Sequence, residues 1–171
     1  DDPSINYLDD MAAEMFDFDG ALFTSSGTQA NLLALMAHCE RGDEYLCGQQ
    51  AHNYKFEGGG AAVLGSIQPQ PLTNQADGSI LLTDIEAAIK PDDIHFARTR
   101  LLSLENTIGG KVVPQQYLAQ AQSLAFEKGL KIHLDGARVA NAAVAQNLPI
   151  TAITQHFDSV SICLSKGLCA P

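Results

Sequence analysis

The residue best placed for covalent chemistry is Lys166, which follows the apolar run Ser159 to Leu164 in the segment Ser165-Lys166-Gly167. An amine delivered by a buried strand must be solvated, ion-paired or used covalently. Burial beside cations would favour the neutral amine, the form that attacks a carbonyl to make a Schiff base. The competing reading is a strand-end lysine whose head snorkels to water.

Three further clusters carry complementary chemistry. Ser25-Ser26-Gly27-Thr28 stands between an apolar run and a helical pattern. Helix N-terminal amides, a glycine that lets the backbone approach and two hydroxyls suit a phosphate at Ser26, Gly27 and Thr28, although a plain Ser/Thr cap has the same composition. Asp135-Gly136-Ala137-Arg138 follows the run Lys131 to Leu134. A carboxylate held there by helix N-terminal amides stays ionised and can pair with a cationic ring nitrogen, or it can simply cap the helix and bridge to Arg138. Ala51-His52-Asn53-Tyr54 offers an imidazole able to lie on an aromatic ring or act as a base, against the ordinary reading of a surface loop histidine.

These clusters need a scaffold that brings them to one edge. Apolar runs alternate with helical periods: Gly20 to Thr24, then a helix through Leu32, Leu35 and Cys39; Glu44 to Cys47; a helix from Thr83 to Lys90; Leu101 to Leu104; a helix over 115–128; Lys131 to Leu134; a helix from Ala137 to Ala145; and Ser159 to Leu164. Gly58-Gly59-Gly60 and Gln68-Pro69-Gln70-Pro71 read as loops. Strands alternating with helices predict an α/β fold, a three-layer αβα sandwich around a mostly parallel sheet. Ligands of such sheets bind outside the carboxyl ends of the strands, where all four clusters fall. A phosphate cup, a ring-facing histidine, a ring-nitrogen aspartate and a Schiff-base lysine are together the handles of pyridoxal phosphate.

Composition fits this reading. The chain has 171 residues, 46% of them hydrophobic and 18% charged, which is the balance of a globular domain. A formal charge of -10 argues against nucleic acid and anionic membrane surfaces as partners. Cys39, Cys47, Cys163 and Cys169 form neither a CxxC pair nor metal-like Cys/His spacing, so no metal site and no disulfide framework are expected. No signal peptide or long apolar run is evident, which makes the cytoplasm the expected location. The chain opens without Met and stops at Pro171 within a motif, and so reads as part of a longer protein.

The segments Ser26-Gly27-Thr28-Gln29-Ala30-Asn31, Ala51-His52-Asn53-Tyr54, Leu104-Glu105-Asn106-Thr107, His133-Leu134-Asp135-Gly136-Ala137-Arg138 and Cys163-Leu164-Ser165-Lys166-Gly167-Leu168 closely resemble the low-specificity L-threonine aldolases of the beta-eliminating lyase family, fold type I enzymes like aspartate aminotransferase. The resemblance covers essentially the whole chain. It implies that residues 1–171 are the core of the large, cofactor-binding domain, without the family's N-terminal segment and C-terminal small domain. It further implies pyridoxal 5'-phosphate joined to Lys166, with Asp135 at the pyridine nitrogen, Arg138 near the phenolic oxygen, His52 stacked on the ring, and Ser26, Gly27 and Thr28 on the phosphate. His95 matches a family position near the substrate hydroxyl, and His52 and His95 are alternative bases. The implied reaction is cleavage of L-threonine or L-allo-threonine to glycine and acetaldehyde in a homodimer or homotetramer. Cys169 departs from the pattern, standing where the family usually has a small residue, commonly Gly. β-Elimination on the same cofactor and an inactive protein that only folds and oligomerises are the alternatives.

Overall fold

The computed structural model describes residues 2–170. The elements run in the order α1 (Pro3–Phe16), α2 (Gly27–His38), β1 (Glu44–Gly48), α3 (His52–Lys55), α4 (Gly60–Val63), β2 (Gln68–Leu72), α5 (Leu82–Ala88), β3 (Thr99–Glu105), α6 (Gln115–Glu127), β4 (Lys131–Gly136), α7 (Val139–Gln146), α8 (Thr151–Thr154) and β5 (Ser159–Ile162). The five strands form one sheet of order β2-β1-β3-β4-β5, and every pairing is parallel. The α/β reading therefore holds.

Alternation along β3, β4 and β5 separates two chemically distinct faces. Leu102, Leu104, Ile132 and Leu134 pack with Leu118, Ala121 and Ala125 of α6 and with Val139, Ala142 and Ala143 of α7, in the main apolar core. The opposite face presents Ser103, Glu105, His133, Asp135, Ser159 and Ser161, and side chains of α2 reach Asp135, His133, Ser159 and Ser161 on it. Toward β1 that second face becomes apolar again, with Tyr45, Cys47 and Leu101 packed against Leu35 and Cys39.

Three local expectations are corrected. Gly20 to Thr24 forms no strand; the segment is irregular, with Leu22 71% exposed, because β-prone residues gain nothing without a neighbouring strand to pair with. Gln68-Pro69-Gln70-Pro71 is no loop but the edge strand β2. Its prolines are tolerated because β2 pairs only with β1: the Gln68 amide donates to the Asp43 carbonyl, so by alternation Pro69 and Pro71 turn their missing donors away from β1. The last strand ends at Ile162, so Lys166 lies in the turn beyond it rather than at its tip.

The acidic start also folds. Asp2 caps α1, its carboxylate accepting from the Ser4 and Ile5 amides, Pro3 takes a first-turn position, and Asp17 closes the helix at φ 59°. Helix α1 docks through Phe16, whose carbonyl accepts the Thr154 hydroxyl at 3.1 Å.

Candidate active site

Register assembles the site. Glu105 of β3 pairs with Asp135 of β4, and Asp135 with Ser161 of β5, so three polar side chains stand abreast at the carboxyl end of the sheet. Beyond them opens a cleft with about 620 Å³ of empty space, including the part open to solvent, lined by Gly27, Thr28, His52, Asp135, Arg138 and Lys166 among others. Residues from five separate stretches of sequence thus meet at one opening.

At one wall α2 begins. Ser26 is its N-cap, the hydroxyl accepting from the Gln29 amide at 3.2 Å, and Gln29 Oε1 in return accepts from the Ser25 amide and hydroxyl at 2.9 Å each. The capping reading is met, and the Gly27 and Thr28 amides remain in the first turn without an intrahelical acceptor, where an anion could be received. Gly27 borders the cleft, and a Cβ there would meet no atom within 4 Å.

Asp135 lies on the floor, 3% exposed. Its Oδ2 accepts from Asn31 Nδ2 at 2.7 Å and its Oδ1 from the Ala137 amide at 3.1 Å. Among the described residues no Lys, Arg or His forms an ion pair with it. Arg138 and Lys166 border the same cleft, exposed and likewise without carboxylate partners among the described residues. A buried carboxylate lacking a cation, facing an opening rimmed by cations and helix amides, matches an elongated ligand with a cationic ring at its centre and an anion at one end. The donor set therefore fits pyridoxal phosphate. Gly136 is required by close approach, since a Cβ there would come within 2.8 Å of the Ser161 backbone carbonyl.

Two carboxylates join the site without having been singled out as candidates in the sequence. Glu57, whose side chain is 5% exposed, accepts from His52 Nδ1 and from Asn31 Nδ2, both at 2.8 Å. Burial raises its carboxyl above the usual range against those hydrogen bonds. Glu105 accepts the His52 amide at 2.8 Å, and burial, reinforced by the charge of Asp135, pushes its carboxyl up to about 7. Only Glu105 carried a signal, through its place in the Leu-Glu-Asn-Thr segment; Glu57 is brought in by a turn of the chain after α3. His52, Glu57 and Asp135 also lie close enough together to hold a cation. The neutral amide of Asn31 already bridges the two carboxylates, so hydrogen bonding accounts for their proximity.

His95 is not brought to the cleft of the single chain. It sits on the loop between α5 and β3, its side chain 78% exposed and its Nδ1 bonded to Asp93 at 2.6 Å. Cys169 adopts φ 56°, a conformation that favours glycine, while its amide bonds the Lys166 carbonyl at 3.0 Å. The departure from the family pattern at Cys169 thus falls on a strained residue of the turn that carries Lys166.

No helix of the described residues is long and apolar enough to cross a membrane. Comparison with known proteins gives a consistent result. The chain is 58% identical over all 171 of its residues to the low specificity L-threonine aldolase of Escherichia coli strain K12, covering 51% of that protein. It is 42% identical over 176 aligned positions to a probable low-specificity L-threonine aldolase of Arabidopsis thaliana, covering 99% of this chain and 50% of the relative. The fold superposes on a threonine aldolase of Leishmania major with a TM-score of 0.75 at 27% identity, over 85% of this chain and 44% of that one. A Listeria monocytogenes structure described as a candidate L-allo-threonine aldolase gives 0.83 at 25% identity, over 98% and 46%. The chain spans about half the length of the curated relatives it matches. The beta-eliminating lyase family matches across residues 1–171, and the chain belongs to it.

Proposed function

We propose that this chain is the core of the cofactor-binding domain of a pyridoxal-phosphate aldolase that cleaves L-threonine or L-allo-threonine to glycine and acetaldehyde. The observation that carries the reading is Asp135, a buried carboxylate with no cationic partner among the described residues, on the floor of a cleft bordered by Lys166. When bound, pyridoxal phosphate supplies an aldehyde to amines and a protonated ring that accepts the electron pair released as a bond to the α-carbon breaks.

The protein's share is positional and protonic. Lys166, at the cleft's border, is the amine that would hold the cofactor. Asp135, its carboxylate held by Asn31 and the Ala137 amide and without a cation among the described residues, would keep a proton on the ring nitrogen. Arg138 neutralises oxygen charge at the rim. The Gly27 and Thr28 amides, with Ser26 shaping the turn, would hold the phosphate at the start of α2. His52 donates from Nδ1 to Glu57, which leaves Nε2 as the lone pair that takes the substrate hydroxyl proton. We assign that proton to His52 rather than His95, which reaches no group of the cleft in the single chain.

Exposed Leu22 and Phe23 beside the start of α2, with Leu33 and Met36 on it, support a homodimer or homotetramer. Cys39 and Cys47 as buried free thiols suit a reducing cytoplasm. The test is to add pyridoxal phosphate and measure aldehyde released from L-threonine and L-allo-threonine by wild type, His52→Ala and His95→Ala. Aldehyde production lost in His52→Ala and retained in His95→Ala is the expected result. Cofactor binding without any aldehyde would overturn the aldolase assignment.

A further inference from the structure

Beneath the cleft runs a hydrogen-bonded chain that links its base to its floor. Asn31, on α2 and 2% exposed, uses its whole amide. Nδ2 donates to Asp135 Oδ2 at 2.7 Å and to Glu57 Oε1 at 2.8 Å, while Oδ1 accepts from Ser161 Oγ at 2.6 Å and faces His133 Nε2 at 3.3 Å. Two donors and two acceptor sites are all that an amide has.

This pattern admits one orientation. With both carboxylates ionised they accept only from the NH2 side, so Oδ1 faces Ser161 and His133, and the bridge assigns the His133 proton to Nε2. His133 Nδ1 is then bare and accepts from Ser159 Oγ at 2.8 Å. Ser159 has a single proton to give, so its oxygen accepts in turn from His38 Nε2 at 2.7 Å. At the other end Glu57 accepts from His52 Nδ1 at 2.8 Å, which fixes the base with Nε2 free. His133 is fully buried, and burial holds it neutral by lowering its proton affinity against the opposing charge of Asp135.

We propose that Asn31 is a positioning residue that sets, through Glu57 and His133, the tautomers of His52 and His133 and the aim of Asp135 in one neutral bridge. The inference deepens the aldolase reading and rests on it for its meaning. A cation in place of Asn31 would pair with Asp135 and remove the charge that the ring nitrogen needs. An anion there would add a third carboxylate to Asp135 and Glu57. The amide holds both while leaving the charge of each uncompensated.

The first measurement is imidazole ¹H–¹⁵N correlation spectroscopy on the chain without cofactor, near neutral pH. Neutral His52 protonated on Nδ1 and neutral His133 on Nε2 are expected; His52 on Nε2 or His133 on Nδ1 would overturn the proposal. The second compares pyridoxal phosphate binding by wild type, Asn31→Asp and Lys166→Ala, with folding followed by far-UV circular dichroism. A folded Asn31→Asp protein that binds at least about tenfold more weakly is expected, the loss of one well-aimed charge-assisted contact corresponding to that factor. Unchanged affinity would overturn it. If Asn31→Asp does not fold, the wild-type tautomers decide alone. If wild type binds no cofactor while showing both tautomers, the cofactor reading falls and the bridge stands.

Discussion

Replacing Glu105 by Gln should make the protein more stable in mild alkali but not in mild acid. The Glu105 carboxyl is moved from 4.5 to about 7, first by burial and then by the charge of Asp135. A folded-state value above the unfolded one means that the folded chain holds the proton more tightly. The stabilising contribution is thus complete below about pH 4.5 and lost as pH rises through about 7. The difference, 7 − 4.5 = 2.5, corresponds at about 1.36 kcal/mol per unit to about 3 kcal/mol; partial solvent access at the cleft reduces the expected value to about 1–3 kcal/mol. Glutamine keeps an oxygen for the His52 amide and carries no charge at any pH. Urea unfolding of wild type and Glu105→Gln at pH 5 and pH 8.5 isolates this group, because His133 and the other titrating residues cancel in the difference. The variant should gain about 1–3 kcal/mol on going to the higher pH. An equal difference at both pH values, or a variant losing stability at pH 8.5 relative to pH 5, would refute the reasoning.

Other outcomes follow from single features. Glu44 is fully buried and pairs with Lys90 at 3.3 Å while accepting from Thr99 and Gln68, so Lys90→Met should cost about 2–4 kcal/mol in denaturant unfolding, part of the charge being held by the remaining donors. His133 is pushed down to about 4 by burial, so its ring should remain neutral at pH 5.5 by NMR. The unfolded chain takes that proton first, and the stability His133 contributes is present above about pH 6.5 and lost as pH falls toward 4. Cys169→Gly removes a side chain held at φ 56° and should stabilise the turn by about 1 kcal/mol, read as a raised unfolding midpoint.

What could be read from the sequence was what local spacing encodes. Ser26 as a cap, Asp135 at the end of one strand and Lys166 after another each depend on a few neighbouring residues, and their common edge follows from parallel topology alone. Contacts across long separations were not legible. Asn31 meets Asp135 104 residues away and Glu57 26 residues away, so its role exists only once α2 lies over the sheet. Helix α1 was not among the elements read from the sequence, although Asp2-Pro3 is a cap and first turn. The prolines of β2 looked like a loop because edge position is a tertiary property. His95 was singled out by its neighbours in sequence, and those neighbours hold it on an exposed loop.

The central claim is that this cleft binds pyridoxal phosphate, with Lys166 as the amine that would hold it and Asp135 at its ring nitrogen. Incubation with the cofactor, reduction with borohydride and peptide mass spectrometry test it most directly. The prediction is one phosphopyridoxyl group on the peptide containing Lys166, absent in Lys166→Ala and strongly reduced in Asp135→Asn. Labelling spread over the surface lysines, with Lys166 unmodified, would contradict it.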